Sequence, residues 1–158
     1  MLPELTLREI QLLNRFNMLT PQARKEVNDH LLYVLLKQYR DELHSQVLGN
    51  VLVYNTLQQA ARMCDRDDTE ISDVVQKVRQ SKFIFYQLLE KTHVKYADIL
   101  NELYLEDSLK DWGRIGFESV LDAAAQNNKD LVKREIIEMI EGYKRLAKKE
   151  DRTKIIAV

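Results

Sequence analysis

The sequence Asp111-Trp112-Gly113-Arg114-Ile115, within the stretch 83–117, decides how we interpret the fold of this chain. It contains the only tryptophan and one of the four glycines, and Gly116 follows directly. Apolar residues recur around it at steps of three and four, which predicts a helix that begins near Ser108. A glycine inside a helix costs about 1 kcal/mol relative to alanine, so two of them indicate that some group approaches this backbone closely. That group is either a neighbouring helix in the core or a docking partner whose charged contact is Arg114.

The composition is that of one globular domain with a hydrophobic core. The 158 residues are 45% hydrophobic and carry a formal net charge of −1, which gives no overall attraction to nucleic acid. A single cysteine excludes an internal disulfide and favours a reducing compartment. No apolar run reaches the roughly 20 residues that cross a bilayer, and no signal-peptide pattern begins the chain. We therefore expect a soluble protein without a transmembrane anchor.

Helix start signals and helical periodicity predict an all-α protein, a single-domain helical bundle over residues 1–150 with a short tail over 151–158. Thr6 and Glu9 are spaced as a capping box, and the first helix should run to about residue 17. Its apolar positions are expected to be buried: Ile10, Leu13 and Phe16. Thr20-Pro21 is a second start signal, in which a cap precedes proline at the first helical position.

Later segments continue the helical pattern. Apolar positions from Leu31 to Val51 advance by fours, so either the second helix breaks near residues 44–50 or its second half buries a different face. We favour a break or kink. A cap at Asp67 should start another helix, and Asp130 should start the last one after a stop at Asn127-Asn128. The apolar positions of that last helix are expected to face the core: Val132, Ile136, Met139, Ile140 and Tyr143. Further helices are predicted over 51–63, over 94–104 and from Ser108.

Catalytic, metal and nucleic-acid signals are weak. The three histidines His30, His44 and His93 lie on separate segments, and none has a second ligand at the spacing of a metal motif. Cys64 has no neighbour in the sequence that would lower the pKa of its thiol. Segment 96–112 loosely matches a helix-turn-helix, but its reading helix would begin among carboxylates that repel phosphate. We expect no enzyme activity, no catalytic residue, no cofactor, no metal site and no nucleic-acid partner.

Three quoted segments together resemble the Bcl-2 family. They are Phe85-Tyr86-Gln87-Leu88-Leu89-Glu90-Lys91, then Leu103-Tyr104 with Asp107, then Trp112-Gly113-Arg114-Ile115 with Phe117. In that family an Asn-Trp-Gly-Arg signature, homology motif 1, opens the central helix. The resemblance covers residues 71–117 best and implies a bundle around a central helix that starts near Trp112.

The resemblance also implies a function and a site. A surface groove would bind the amphipathic homology motif 3 helix of pro-apoptotic proteins, which would make the chain an apoptosis regulator, most simply an inhibitor. Arg114 would pair with an aspartate of the partner helix, and Gly113 would let that helix approach. The groove candidates share apolar character on the preceding segments: Val74, Val75, Val78, Phe85, Leu88, Leu100 and Leu103. The implied location is the cytoplasm, with the mitochondrial surface as a peripheral site.

The sequence departs from the family pattern in places that bear on this site. Asp111 replaces the asparagine before the tryptophan, which puts a negative charge beside Arg114 and against an acidic partner helix. Gln76 stands where homology motif 3 has its aspartate, and the motif 2 pattern is absent after the last helix. Such divergence is typical of a viral or otherwise remote pro-survival homologue.

A second interpretation starts from the N-terminal half. Residues 7–39 are similar to the helical tails that follow DNA-binding domains in bacterial repressors, a similarity of amphipathic periodicity. Residues 5–64 also hold several apolar stripes, whose surplus apolar surface is buried either between two copies or within a monomer that covers the stripes itself. The first alternative predicts a homodimer, and the chain would then be a self-associating helical adaptor or a transcription-regulatory interaction module.

Overall fold

Seven α-helices and no strand are found in the part of the chain that this computed structural model describes, residues 3–100 and 108–156. Side chains are described for 3–99 and 108–149. The helices are α1 Leu7–Asn17, α2 Pro21–Leu48, α3 Val51–Cys64, α4 Ile71–Lys95, α5 Ala97–Leu100, α6 Ser108–Ala125 and α7 Lys129–Ile156. The predicted all-α fold class is confirmed, and a Bcl-2-like arrangement of these helices stays a prediction.

The chain divides into two compact units, which we call unit 1 (Met1–Gln38) and unit 2 (Tyr39–Val158). Helix α2 runs through the boundary between them. The single domain over residues 1–150 and the tail over 151–158 stay predictions, and each unit is described by itself below.

Unit 1 contains α1 and the first half of α2. Thr6 and Glu9 form the predicted capping box, and the Thr20 hydroxyl accepts from the backbone N–H of Ala23 at the start of α2. At the turn, the Arg24 guanidinium donates to the carbonyls of Phe16 and Asn17 at the end of α1. These hydrogen bonds satisfy backbone N–H and carbonyl groups at the turn between α1 and α2.

The predicted burial in α1 is wrong. Ile10 and Leu13 are 43% and 48% exposed, and Phe16 is only half-buried under Arg24. None of residues 3–38 is buried. The reason is that α1 and α2 meet mainly at their turn, so unit 1 supplies no second layer to cover the apolar face of either helix.

The predicted break in the second helix is confirmed at Gly49-Asn50. Asn50 caps α3, because its side-chain oxygen accepts from the backbone N–H of Leu52. The hydroxyl of Tyr143 in α7 donates to the carbonyl of Leu48 at 2.9 Å, which satisfies the end of α2. Unit 2 therefore holds the break in place from a distant helix.

The buried hydrophobic core cluster of the described residues lies in unit 2. Helix α3 packs on α4 and α7, and α6 packs on α4 and α7. The fully buried side chains come from every long helix of this unit: Tyr39, Leu43, Val47, Val53, Leu57, Val74, Val78, Phe85, Leu109, Phe117, Val120 and Ile136. The predicted core positions of the last helix, Val132, Ile136, Met139, Ile140 and Tyr143, are all buried.

Two predicted helix starts are corrected by the structure. The N-cap of α4 is Glu70 rather than Asp67, and its side chain makes no capping bond. Helix α7 is capped by Asn128, whose side chain accepts from the N–H of Leu131, so Asp130 lies in the first turn instead. Asn127 has a φ of 54°, the left-handed conformation that ends α6 as the Asn-Asn pair predicted.

Candidate functional site

Trp112, near the start of α6, contacts both α4 and α7. Its ring centroid lies 5.4 Å from that of Phe85 in α4 and 5.8 Å from that of Tyr143 in α7. Its indole N–H donates to the carbonyl of Met139 at 2.8 Å. Helix α6 begins near Trp112 as the resemblance implied, and the tryptophan anchors it through both ring contacts and a hydrogen bond.

The close approach at Gly113 is made by Phe85. A Cβ atom at residue 113 would lie 2.1 Å from Cε1 of that ring, which is fully buried. The space beside Gly113 is therefore filled from within the protein. Helix packing is thus sufficient to account for this glycine, and its part in letting a partner helix approach stays a prediction.

Arg114 and Asp111 lie on the exposed side of α6. Their side chains are each 58% exposed and form an ion pair of 3.5 Å across three residues. An exposed pair of this kind contributes about 0–1 kcal/mol to stability. The arginine is thus accessible to a carboxylate from outside, with Asp111 as its competitor.

The other predicted groove residues are mostly core. Val74, Val78 and Phe85 are fully buried because α3 and α6 cover their side of α4. Val75 and Leu88 are half-buried. Leu103 and the side chain of Leu100 lie outside the described residues. Val74, Val78 and Phe85 thus lie in the packed interior of unit 2, and their part in a groove stays a prediction.

A shallow groove that sequence reasoning missed runs between α6 and α7. Its volume is about 250 Å³, and Ile115, Trp112 and Met139 give it an apolar floor. Gly116 and Gly142 open it, since a Cβ on either would lie within 3 Å of Met139 or Trp112, respectively. The sequence signal for this groove was a glycine on each of two successive helices. Gly142 is the only glycine of its segment, however, and nothing in the sequence indicated that it lies close to Gly116.

The largest exposure of apolar side chains lies in unit 1. Ten of its large apolar residues are more than 40% exposed, and we call them together the unit 1 apolar surface: Leu5, Leu7, Ile10, Leu12, Leu13, Met18, Val27, Leu31, Tyr33 and Val34. A stable monomer rarely leaves so many apolar side chains in water. This surface is the strongest candidate for a contact site in the described structure.

Chemical groups elsewhere give no comparable candidate. Across residues 3–100 and 108–156 no cluster of histidine, cysteine and carboxylate side chains is arranged to hold a metal ion. Burial raises the pKa of the half-buried Cys64 thiol, which disfavours the reactive thiolate at neutral pH. Within the same residues, no helix combines the length and apolar character needed to cross a membrane.

Comparison with protein-family models, with curated proteins and with solved structures gives no match. The resemblance to the Bcl-2 family therefore depends on the quoted residues alone.

Proposed function

We propose that this chain is a protein-interaction module whose contact surface is the unit 1 apolar surface. The observation that carries the proposal is that residues 3–38 contain ten exposed large apolar side chains and no buried residue. Helices with an apolar stripe must bury it against another element to be stable in water. The missing element is supplied by another polypeptide.

The charges of unit 1 favour a protein over nucleic acid or lipid as the partner. Residues 1–38 carry five basic and four acidic side chains, a net charge of +1, and the two signs are interspersed along both helices. Nucleic acid and anionic membranes require a predominantly basic face. A surface that is apolar with balanced charges is typical of helix-helix contacts.

Site-specific photo-crosslinking in the native cells tests the proposal. A photoreactive amino acid would replace Leu31 of unit 1, which is 53% exposed, and in a matched strain Val94 of α4, which is 66% exposed. We expect a discrete protein adduct from position 31 and none from position 94. Equal adducts from both positions, or none from position 31, would contradict the proposal.

A second candidate function is recognition of a pro-apoptotic homology motif 3 helix, and we propose it for the surface around Arg114. The observation that favours it is the accessible guanidinium beside Trp112, which forms a long ion pair with Asp111. An arginine in such a place can pair with a carboxylate on an amphipathic helix. The chain would then inhibit apoptosis in the cytoplasm or at the mitochondrial surface.

Calorimetric titration with a panel of homology motif 3 peptides tests this second candidate. Dissociation constants in the micromolar range or below, about −8 kcal/mol, support it. Arg114→Ala should then weaken binding by about 2–5 kcal/mol, while the control Arg134→Ala, an exposed arginine of α7, should not. Asp111→Asn should leave affinity unchanged or raise it. Absence of binding to every peptide would exclude this function.

A further inference from the structure

We propose that the partner of the unit 1 apolar surface is a second copy of this chain, so that the working form is a homodimer. The inference rests on the proposed function and names the partner of the same surface. It follows from the geometry of α2, the size of the surface and its charge pattern.

The apolar stripe of α2 drifts around the helix along its length. Apolar side chains at 31, 35, 39, 43 and 47 advance by four residues, and each step rotates the position by about 40° around the helix. Between Val47, which is fully buried, and Leu31 the rotation reaches about 160°. The apolar stripe near Leu31 therefore needs a neighbour of its own.

The surface has the size that one side of a stable dimer needs. A fully buried aliphatic side chain removes roughly 60–120 Å² from water. Leu12 and Tyr33 lie on the other side of their helices, and the remaining eight side chains, on average a little over half exposed, offer about 260–530 Å² of apolar area. Each partner of a standard interface contributes about 800 Å², of which about 450–520 Å² is apolar. One copy therefore matches the apolar content of half an interface.

The charges suit pairing of the surface with itself. In a twofold interface, when one residue contacts a second residue of the partner copy, the reciprocal contact also forms between the other two copies of these residues. A surface that pairs with itself must therefore carry charges of both signs. Helix α2 does so within one turn, where Lys25 and Asp29 lie four residues apart and form an exposed ion pair. A copy related by a twofold axis can exchange these partners between chains. An acidic or basic foreign partner finds no such charge match, because residues 1–38 carry a net charge of only +1.

Sedimentation equilibrium on the full-length chain, between 1 and 100 µM, tests the inference. We expect a species of twice the 18.6 kDa chain mass that dissociates on dilution. Leu31→Lys should raise the dimer dissociation constant at least tenfold, and Leu13→Lys in α1 should act in the same direction. The matched control Gln87→Lys adds the same charge to an exposed polar position of α4, outside unit 1, and should change it less than threefold.

Each remaining outcome overturns the inference. A monomer throughout this range excludes the second copy, and if position 31 still crosslinks in cells, the interaction module survives with a different partner. A dimer weakened by Val94→Lys but not by Leu31→Lys or Leu13→Lys places the interface elsewhere. Co-flotation of the monomer with phosphatidylglycerol vesicles that is lost in Leu31→Lys assigns the surface to a membrane. Far-ultraviolet circular dichroism of all variants guards against unfolding, which is not expected because the substituted side chains are exposed.

Discussion

Gly113→Ala should destabilise the protein, whereas Gly116→Ala, one turn further along α6, should change its stability little. A methyl group at residue 113 would lie 2.1 Å from Cε1 and 2.4 Å from Cζ of Phe85, where carbon contacts need about 3.5–4.0 Å. The ring would have to move by about 1.5 Å. It is fully buried and packed against Trp112 and Phe117 at centroid distances of 5.4 and 5.8 Å, so it cannot move freely.

The magnitude follows from two opposing terms. Overpacking in a well-packed core costs about 1–3 kcal/mol, and removing a glycine from a helix gains about 1 kcal/mol. With so short a contact, Gly113→Ala should lose about 2 kcal/mol, or roughly 4–8 °C in melting temperature. At residue 116 the methyl meets the side chain of Met139, which has three rotatable bonds and lies beside the open α6–α7 groove. The two terms then nearly cancel, and stability should stay within about 1 kcal/mol.

Urea denaturation followed by circular dichroism measures both variants. Adding Phe85→Leu to Gly113→Ala completes a double-mutant cycle, and relief of the clash should appear as a favourable coupling of about 0.5–3 kcal/mol. If Gly113→Ala is as stable as Gly116→Ala, the ring of Phe85 does not occupy the space beside residue 113. The packing explanation would then be wrong, and a role for Gly113 in docking would regain support.

Other predictions concern buried polar groups. Tyr143→Phe should lower the free energy of unfolding in urea by about 0.5–1.5 kcal/mol, because the part-buried carbonyl of Leu48 loses its donor. Tyr39→Phe should leave that free energy unchanged or raise it, because the buried Tyr39 hydroxyl has no hydrogen-bond partner among the described residues. Burial raises the pKa of Tyr143 above its value of about 10 in the unfolded chain, so wild-type stability should fall as pH rises past 10. Tyr143→Phe should flatten that decline when urea midpoints are measured between pH 8 and 11. Lys129→Met should speed amide exchange in the α3–α4 turn, where the Lys129 ammonium donates to the Thr69 carbonyl at 2.7 Å.

Local features of this fold could be predicted because their causes lie within a few residues. The Thr6–Glu9 capping box, the Thr20-Pro21 start and the Asn127 stop each depend on side chains next to the backbone groups that they satisfy. The break at Gly49-Asn50 belongs to the same class. The periodicity of α7 likewise gave its core positions correctly.

Features that depend on neighbouring elements could not be predicted. Periodicity identifies the apolar face of a helix but not what covers it. Ile10 and Leu13 follow the same pattern as Val74 and Val78, yet the first pair is exposed and the second is fully buried. Val74, Val78 and Phe85 are buried for this reason: α3 and α6 cover the face of α4 on which they lie.

We expect the unit 1 apolar surface to be an interface between two copies of this chain. Hydrogen–deuterium exchange on the purified full-length chain at 1 and 100 µM measures this directly. Our account predicts that amides of residues 7–34 gain protection at the higher concentration, that those of α3, α4 and α7 do not change, and that Leu31→Lys removes the gain. Equal exchange of residues 7–34 at both concentrations, with no difference between wild type and Leu31→Lys, would contradict it.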